Sequence, residues 1–327
     1  MKITATAKAH TNIALVKYWG KKDANLMLPQ NGSISLTLDH FYTETSVTFD
    51  AQLPHDQITF NDQLLAPAKA ERISQFLDLI RHQSGRNLPA RVVTSNHVPT
   101  SAGLASSASG FAALAAAGSR AAGMTLDPTA LSRLARRGSG SATRSIFGGF
   151  VEWRAGHDDQ SSYAEVLQDP VDWDVQMIVV VLKATKKPIS STDGMARVVA
   201  TSPYYSAWRQ TAAADLITMR QAIQAHDLTT LGHVAETNAM RMHALNLSAD
   251  PSFDYFTADT LTAIQAVSDL RTQGINCYYT LDAGPNVKII CAGQDTDIIK
   301  AALERHFAPE QLMVAKPGPG VSVTTTH

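Results

Sequence analysis

The chain has 327 residues, 44% hydrophobic and 17% charged, which excludes a disordered polymer and allows one large domain or two ordinary ones. Lys and Arg number 28 against 29 Asp and Glu, so the net charge of −1 makes no general case for a nucleic-acid or membrane-surface protein. Two cysteines, Cys277 and Cys291, exclude a disulfide framework and fit a reducing compartment. No CxxC, HExxH or EF-hand loop occurs, the first residues lack a signal-peptide core, and no apolar run could span a bilayer. The expectation is a cytoplasmic protein with no nucleic-acid or membrane partner.

Alternation predicts strands at 34–38 and 43–49. Ile73, Phe76, Leu77 and Ile80 mark one face of a helix over 69–84, stopped by Gly85. A strand at 91–95 leads through a turn-rich stretch into an Ala-rich helix ending near Gly123. Asp127-Pro128 caps a helix that stops at Gly138, and Met177 to Leu182 reads as a buried strand. Two or three helices fill 203–246, with Asp227 as a cap, and another covers 258–273 before Gly274. Cys277 to Leu281 and Val287 to Cys291 read as strands around a tight turn, a last helix covers 295–307, and the tail after Pro317 is expected to fray. The pattern is α/β or α+β, with a division expected near residues 183–192.

Five segments carry chemistry. Pro99 to Ala108 joins a strand to a helix through Gly and Ser, suiting either an anion site or a capped turn. It is not a Walker A loop. Ser139 to Ser145 sets Arg144, whose fork suits a carboxylate or phosphate, among small residues. Asn12 to Lys21 spaces Lys17 and Lys21 around aromatics, and could be a strand with snorkelling lysines. Ser190 to Met195 could be an N-cap or a hydroxyl cluster. Asp282 enters the turn after a buried strand, either as an Asx-turn residue or as a fixed carboxylate acting on a hydroxyl. Arg136-Arg137 reads as a solvated helix end, and His226, His233 and His243 as surface or capping residues.

Taken together, NIALVKYWGK, PTSAGLASSAS, SGSATRS, SSTDGM and LDAGPNVK closely resemble, in order, the signatures of the mevalonate diphosphate decarboxylases of the GHMP kinase superfamily. The resemblance spans about residues 5–292. It implies the GHMP kinase fold. An N-terminal domain like ribosomal protein S5 domain 2 (1–183) and a ferredoxin-like C-terminal domain (184–327) would flank the active-site cleft. It implies ATP-dependent decarboxylation of (R)-5-diphosphomevalonate to isopentenyl diphosphate, with ADP, phosphate and carbon dioxide, through transient phosphorylation at O3. It also implies Mg²⁺ and a homodimer.

By the same resemblance, Asp282 faces the 3-hydroxyl, Lys17 keeps it ionised, and Arg144 grips the C1 carboxylate. Ala14, Tyr18, Trp19, Gly20, Lys21, Arg72, Ser139, Gly140, Ser141 and Ser191 would bind substrate, mostly through its diphosphate. Asn96, Pro99, Ser101, Ala102, Gly103, Leu104, Ala105, Ser106 and Ser107 would hold the nucleotide, with Ser106 or Ser107 near Mg²⁺. Thr192 departs from the pattern, because some relatives carry Arg there. A phosphomevalonate decarboxylase, a mevalonate 3-kinase and a non-catalytic binder share the scaffold. Retention of Asp282, Lys17 and Arg144 counts against the last two, and Lys21 with Arg72 favours a diphosphate.

Overall fold

A computed structural model describes residues 3–98, 106–182 and 189–326. The first half runs β1 (Thr4–Val16), β2 (Lys21–Asp23), β3 (Leu28–Pro29), β4 (Ser33–Phe49), β5 (Gln57–Phe60) and β6 (Gln63–Leu64), then α1 (Pro67–Ser84), β7 (Ala90–His97), α2 (Ser106–Ala121) and α3 (Pro128–Gly138). A 3₁₀ turn (Gly140–Ile146), β8 (Phe150–Trp153) and β9 (Ala164–Gln168) follow. The second half contains β10 (Gln176–Val180), α4 (Ser191–Thr201), α5 (Tyr205–Gln224), α6 (Leu228–Leu247), α7 (Ala258–Thr272), β11 (Cys277–Leu281), β12 (Val287–Cys291), α8 (Thr296–Leu303), β13 (Leu312–Ala315) and β14 (Ser322–Thr326).

The first sheet has the order β14-β1-β4-β7-β5-β6, with β8 on β4 and β9 on β8; the second has the order β11-β12-β10-β13. The two segments expected at 34–38 and 43–49 are one long strand, β4. Its pairing with β1 breaks between His10 and Asn12, where its partner residue jumps from Tyr42 to Thr37. The tail does not fray: residues 322–326 pair with residues 4–8 of β1, which supplies their missing backbone partners.

β1 serves two cores. Ala5, Ala7 and Ala9 pack with α1 and α2, whereas Ile13 and Leu15 join a core that includes Leu216 of α5 and Leu231 of α6. Thr11 bonds Ser109 of α2, and its neighbour Asn12 bonds Ser141 and Ser145 of the 3₁₀ turn, so two successive residues reach the same helix layer. The small residues of α2 allow close packing. A Cβ on Gly118 would lie 2.6 Å from Ile80 Cδ1. Asp127 and Asp227 cap α3 and α6 as their positions predict.

Arg136 corrects one expectation. Rather than a solvated helix end, it is fully buried, donating to the carbonyls of Leu26 and Ser162 and to Asp159. A guanidinium can be buried when neighbouring carbonyls satisfy its donors.

Candidate active site

The end of β1, the 3₁₀ turn, the first turns of α2 and α4, and the turn after β11 converge on a cavity of about 270 Å³. Asn12, Ala14, Lys17, Tyr18, Trp19, Lys21, Arg72, Ser106, Ser107, Ser139, Gly140, Ser141, Arg144, Ser191, Thr192 and Asp282 line it. Gly20 does not, but its backbone shapes the turn. Its φ is +115°, and a Cβ there would lie 1.9 Å from the hydroxyl of Tyr205, which donates to the Trp19 carbonyl. Pro99, Ser101, Ala102, Gly103, Leu104 and Ala105 lie outside the described residues.

Lys17 Nζ donates to Asp282 Oδ1 at 2.9 Å and to the Ala14 carbonyl at 2.6 Å. Lys288 Nζ lies 3.0 Å from the other carboxylate oxygen, Oδ2. Burial alone would raise the Asp282 pKa, but the two lysines outweigh it and hold the carboxyl well below its usual range. Burial lowers Lys17 to about 8, against the attraction of Asp282 and with help from Lys288 and Arg144. Arg144 is buried, and burial brings it down to about 10. It donates to Asn12 Oδ1 at 3.1 Å and to the Ser33 hydroxyl, both neutral. A guanidinium held by neutral partners at a cavity wall remains available to an anion.

Lys21 and Arg72 line the same cavity. Arg72 donates to the Gly138 carbonyl at 2.7 Å and lies 4.6 Å from the Phe111 ring centre. Burial and then Arg72 lower the pKa of Lys21. Tyr18 packs edge-on against Trp153, and Trp19 donates to Asn246. Ser106 and Ser107 open α2, where free backbone N–H groups collect. They also line an adjoining cavity of about 200 Å³, together with Asn96, Thr43, Phe60 and Phe111. Among the described residues, no group of three or more His, Cys, Asp and Glu side chains forms a metal site.

Two residues beside the site escape the sequence reading. Lys288 is 1% exposed inside β12, where every other residue is buried and apolar; a lone lysine in such a run is itself the signal. His243, expected as a surface or capping residue, is buried on α6, its ring tilted against Phe256 with centres 4.7 Å apart. Burial, then Lys17, lowers its pKa to about 3. His226 and His233 are exposed.

The diphosphomevalonate decarboxylase-like N-terminal domain matches residues 9–164, and the mevalonate 5-diphosphate decarboxylase C-terminal domain matches residues 177–319. The diphosphomevalonate decarboxylase of Aspergillus fumigatus is 36% identical over 93% of this chain and 81% of its own. The mevalonate diphosphate decarboxylase from Enterococcus faecalis, in a structure concerning mevalonate diphosphate-mediated ATP binding, superimposes with a TM-score of 0.95 at 45% identity over 100% of both chains. A structure in complex with MVAPP, AMPPCP and magnesium matches equally, at 45% identity, TM-score 0.95 and 100% of both chains. With both family domains in order and a curated relative matched over most of its length, this chain belongs to the diphosphomevalonate decarboxylase family.

Proposed function

We propose that this chain catalyses the ATP-dependent decarboxylation of mevalonate 5-diphosphate to isopentenyl diphosphate, releasing ADP, phosphate and carbon dioxide. The observation that carries it is one cavity lined both by the Asp282–Lys17 pair with Arg144 and by Lys21 with Arg72. Asp282 orients the 3-hydroxyl, whose oxygen takes the γ-phosphoryl group of ATP as the bond to ADP breaks and the hydroxyl proton is given up through Asp282 to solvent. The 3-phosphate then leaves, the C1–C2 electrons form the new double bond, and the C1 carboxylate held by Arg144 departs as carbon dioxide. Lys21, Arg72, Tyr18, Ser139, Ser141 and Ser191 bind the diphosphate, and that remote binding energy orients the reacting carbon.

Ser106 and Ser107 fit the phosphates of ATP, because both residues line both cavities and stand in the first turn of α2, where a helix leaves its N–H groups unpaired. Their hard oxygens also suit Mg²⁺, which would be held mainly by the phosphates and would neutralise their charge. Asn96 and the adjoining cavity would take the rest of the nucleotide. A division into two domains near residues 183–184, a homodimer and a cytoplasmic setting complete this reading on family resemblance. No helix among the described residues is long and apolar enough to cross a membrane.

The test measures carbon dioxide, ADP and phosphate in parallel on mevalonate 5-diphosphate and mevalonate 5-phosphate. Equal yields of all three from the diphosphate support the reading. Preference for the monophosphate, or ADP without carbon dioxide, overturns it.

A further inference from the structure

Lys288 does not line the cavity, yet its Nζ lies 3.0 Å from Asp282 Oδ2. It reaches the carboxylate from β12. Its neighbours in register are Val179 on β10 and Thr280 on β11, so the side chain leaves the centre of the second sheet. The same Nζ donates to the Asn286 carbonyl at 3.3 Å, and Asn286 Oδ1 accepts from the Leu182 amide at 2.7 Å. The turn between β11 and β12 is thus tied to Leu182, just past the end of β10, and to the carboxylate at its mouth. Burying a lysine in an apolar strand is strongly unfavourable unless a charge partner is in place. Asp282 is that partner, although Lys17 already occupies its other oxygen.

We propose that Lys288 is a positioning residue for the reaction, fixing the oxygen that Lys17 leaves free so that Asp282 presents one ionised orientation to the 3-hydroxyl. It acts through Asp282 and does not touch substrate. The proposal rests on the assignment of Asp282 to the 3-hydroxyl. The charged and titratable groups around that carboxylate are Lys17 after β1, Lys288 on β12, Arg144 on the 3₁₀ turn and His243 on α6. With Lys288 neutralised, Lys17 alone opposes the burial that favours the protonated acid.

The experiment compares wild type, Lys288→Met, Lys288→Gln and Lys288→Arg in ATP-dependent carbon dioxide release across pH. Lys288→Met should lower kcat by about ten- to a hundredfold, with the KM for the diphosphate within about threefold. The acid limb should move to higher pH, because Asp282 would protonate more readily. Lys288→Arg should recover most of kcat and return the limb towards the wild-type position. If Lys288→Met does not fold, Lys288→Gln carries the test, since it keeps a polar side chain for Asn286. An unmoved acid limb overturns the proposal, as does an equal loss in the Met and Arg variants. Turnover by wild type with either result means that the assignment of Lys288 fails by itself. Wild type without carbon dioxide release overturns both this proposal and the proposed function.

Discussion

Lys17 Nζ donates to Asp282 Oδ1 at 2.9 Å across 265 residues of sequence. The pair closes the candidate site between the end of β1 and the end of β11, so neither half of the chain contains the pair by itself.

Asp282→Asn removes the ionised acceptor and leaves Lys17 and Lys288 facing a neutral amide. Turnover should fall by about 10²- to 10⁴-fold, the usual range for a lost acid–base or orienting group. Nucleotide affinity, measured by calorimetry, should stay within a few fold, because Ser106 and Ser107 lie on α2. Near-normal carbon dioxide release would remove Asp282 from its role.

The pH profile follows from Lys17, which burial lowers to about 8. Below that pH the ammonium is present and the contact with Asp282 holds; above it the charge is lost. The basic limb of kcat/KM, which reports the free enzyme, should therefore fall with a midpoint near 8. Lys17→Arg should move that limb upward, because a guanidinium stays protonated. An identical limb in the variant would assign it to another group.

Arg144→Lys keeps a positive charge but loses the fork that meets Asn12 and Ser33 together. A loss of about tenfold or more in kcat/KM is expected, with a melting temperature within a few degrees of wild type. Parallel loss of activity and melting temperature would mean that Arg144 holds the fold rather than the substrate.

His243 stays neutral when folded, with its pKa lowered to about 3 by burial, against 6.5 when unfolded. Between those values the unfolded chain binds a proton that the folded chain refuses. Its contribution is present above 6.5 and is lost as pH falls towards about 3, by up to about 1.4 kcal/mol per pH unit. In urea unfolding, His243→Phe should show a shallower loss of stability over this range. Equal slopes would show that His243 is not the group responsible.

Much of this was legible in the sequence because local chemistry dictated it. β11 and β12 fall on Cys277–Leu281 and Val287–Cys291 as read, and Asp127 and Asp227 cap the helices that their side chains can satisfy. Asp282, Lys17 and Arg144 could be singled out because each stands in an unusual local setting. Their meeting rests on family resemblance, since distances across 265 residues have no local signal. Arg136, His243 and Lys288 show the limit: whether a charged or polar side chain is buried depends on partners from remote elements. The strand at the tail was equally hidden, because its partner lies at the opposite end of the chain.

The adjacent pair Thr11 and Asn12, both turned to the helix layer, divides β1 into two reading frames of alternation. Single-residue deletions are therefore not equivalent along it. Loss of Thr11 would leave every remaining side chain on its present face and draw Lys17 back by one strand step, about 3.3 Å. Loss of Ile13 would exchange the faces beyond it, sending Ala14 into the apolar core and Leu15 towards the cavity that Ala14 now lines.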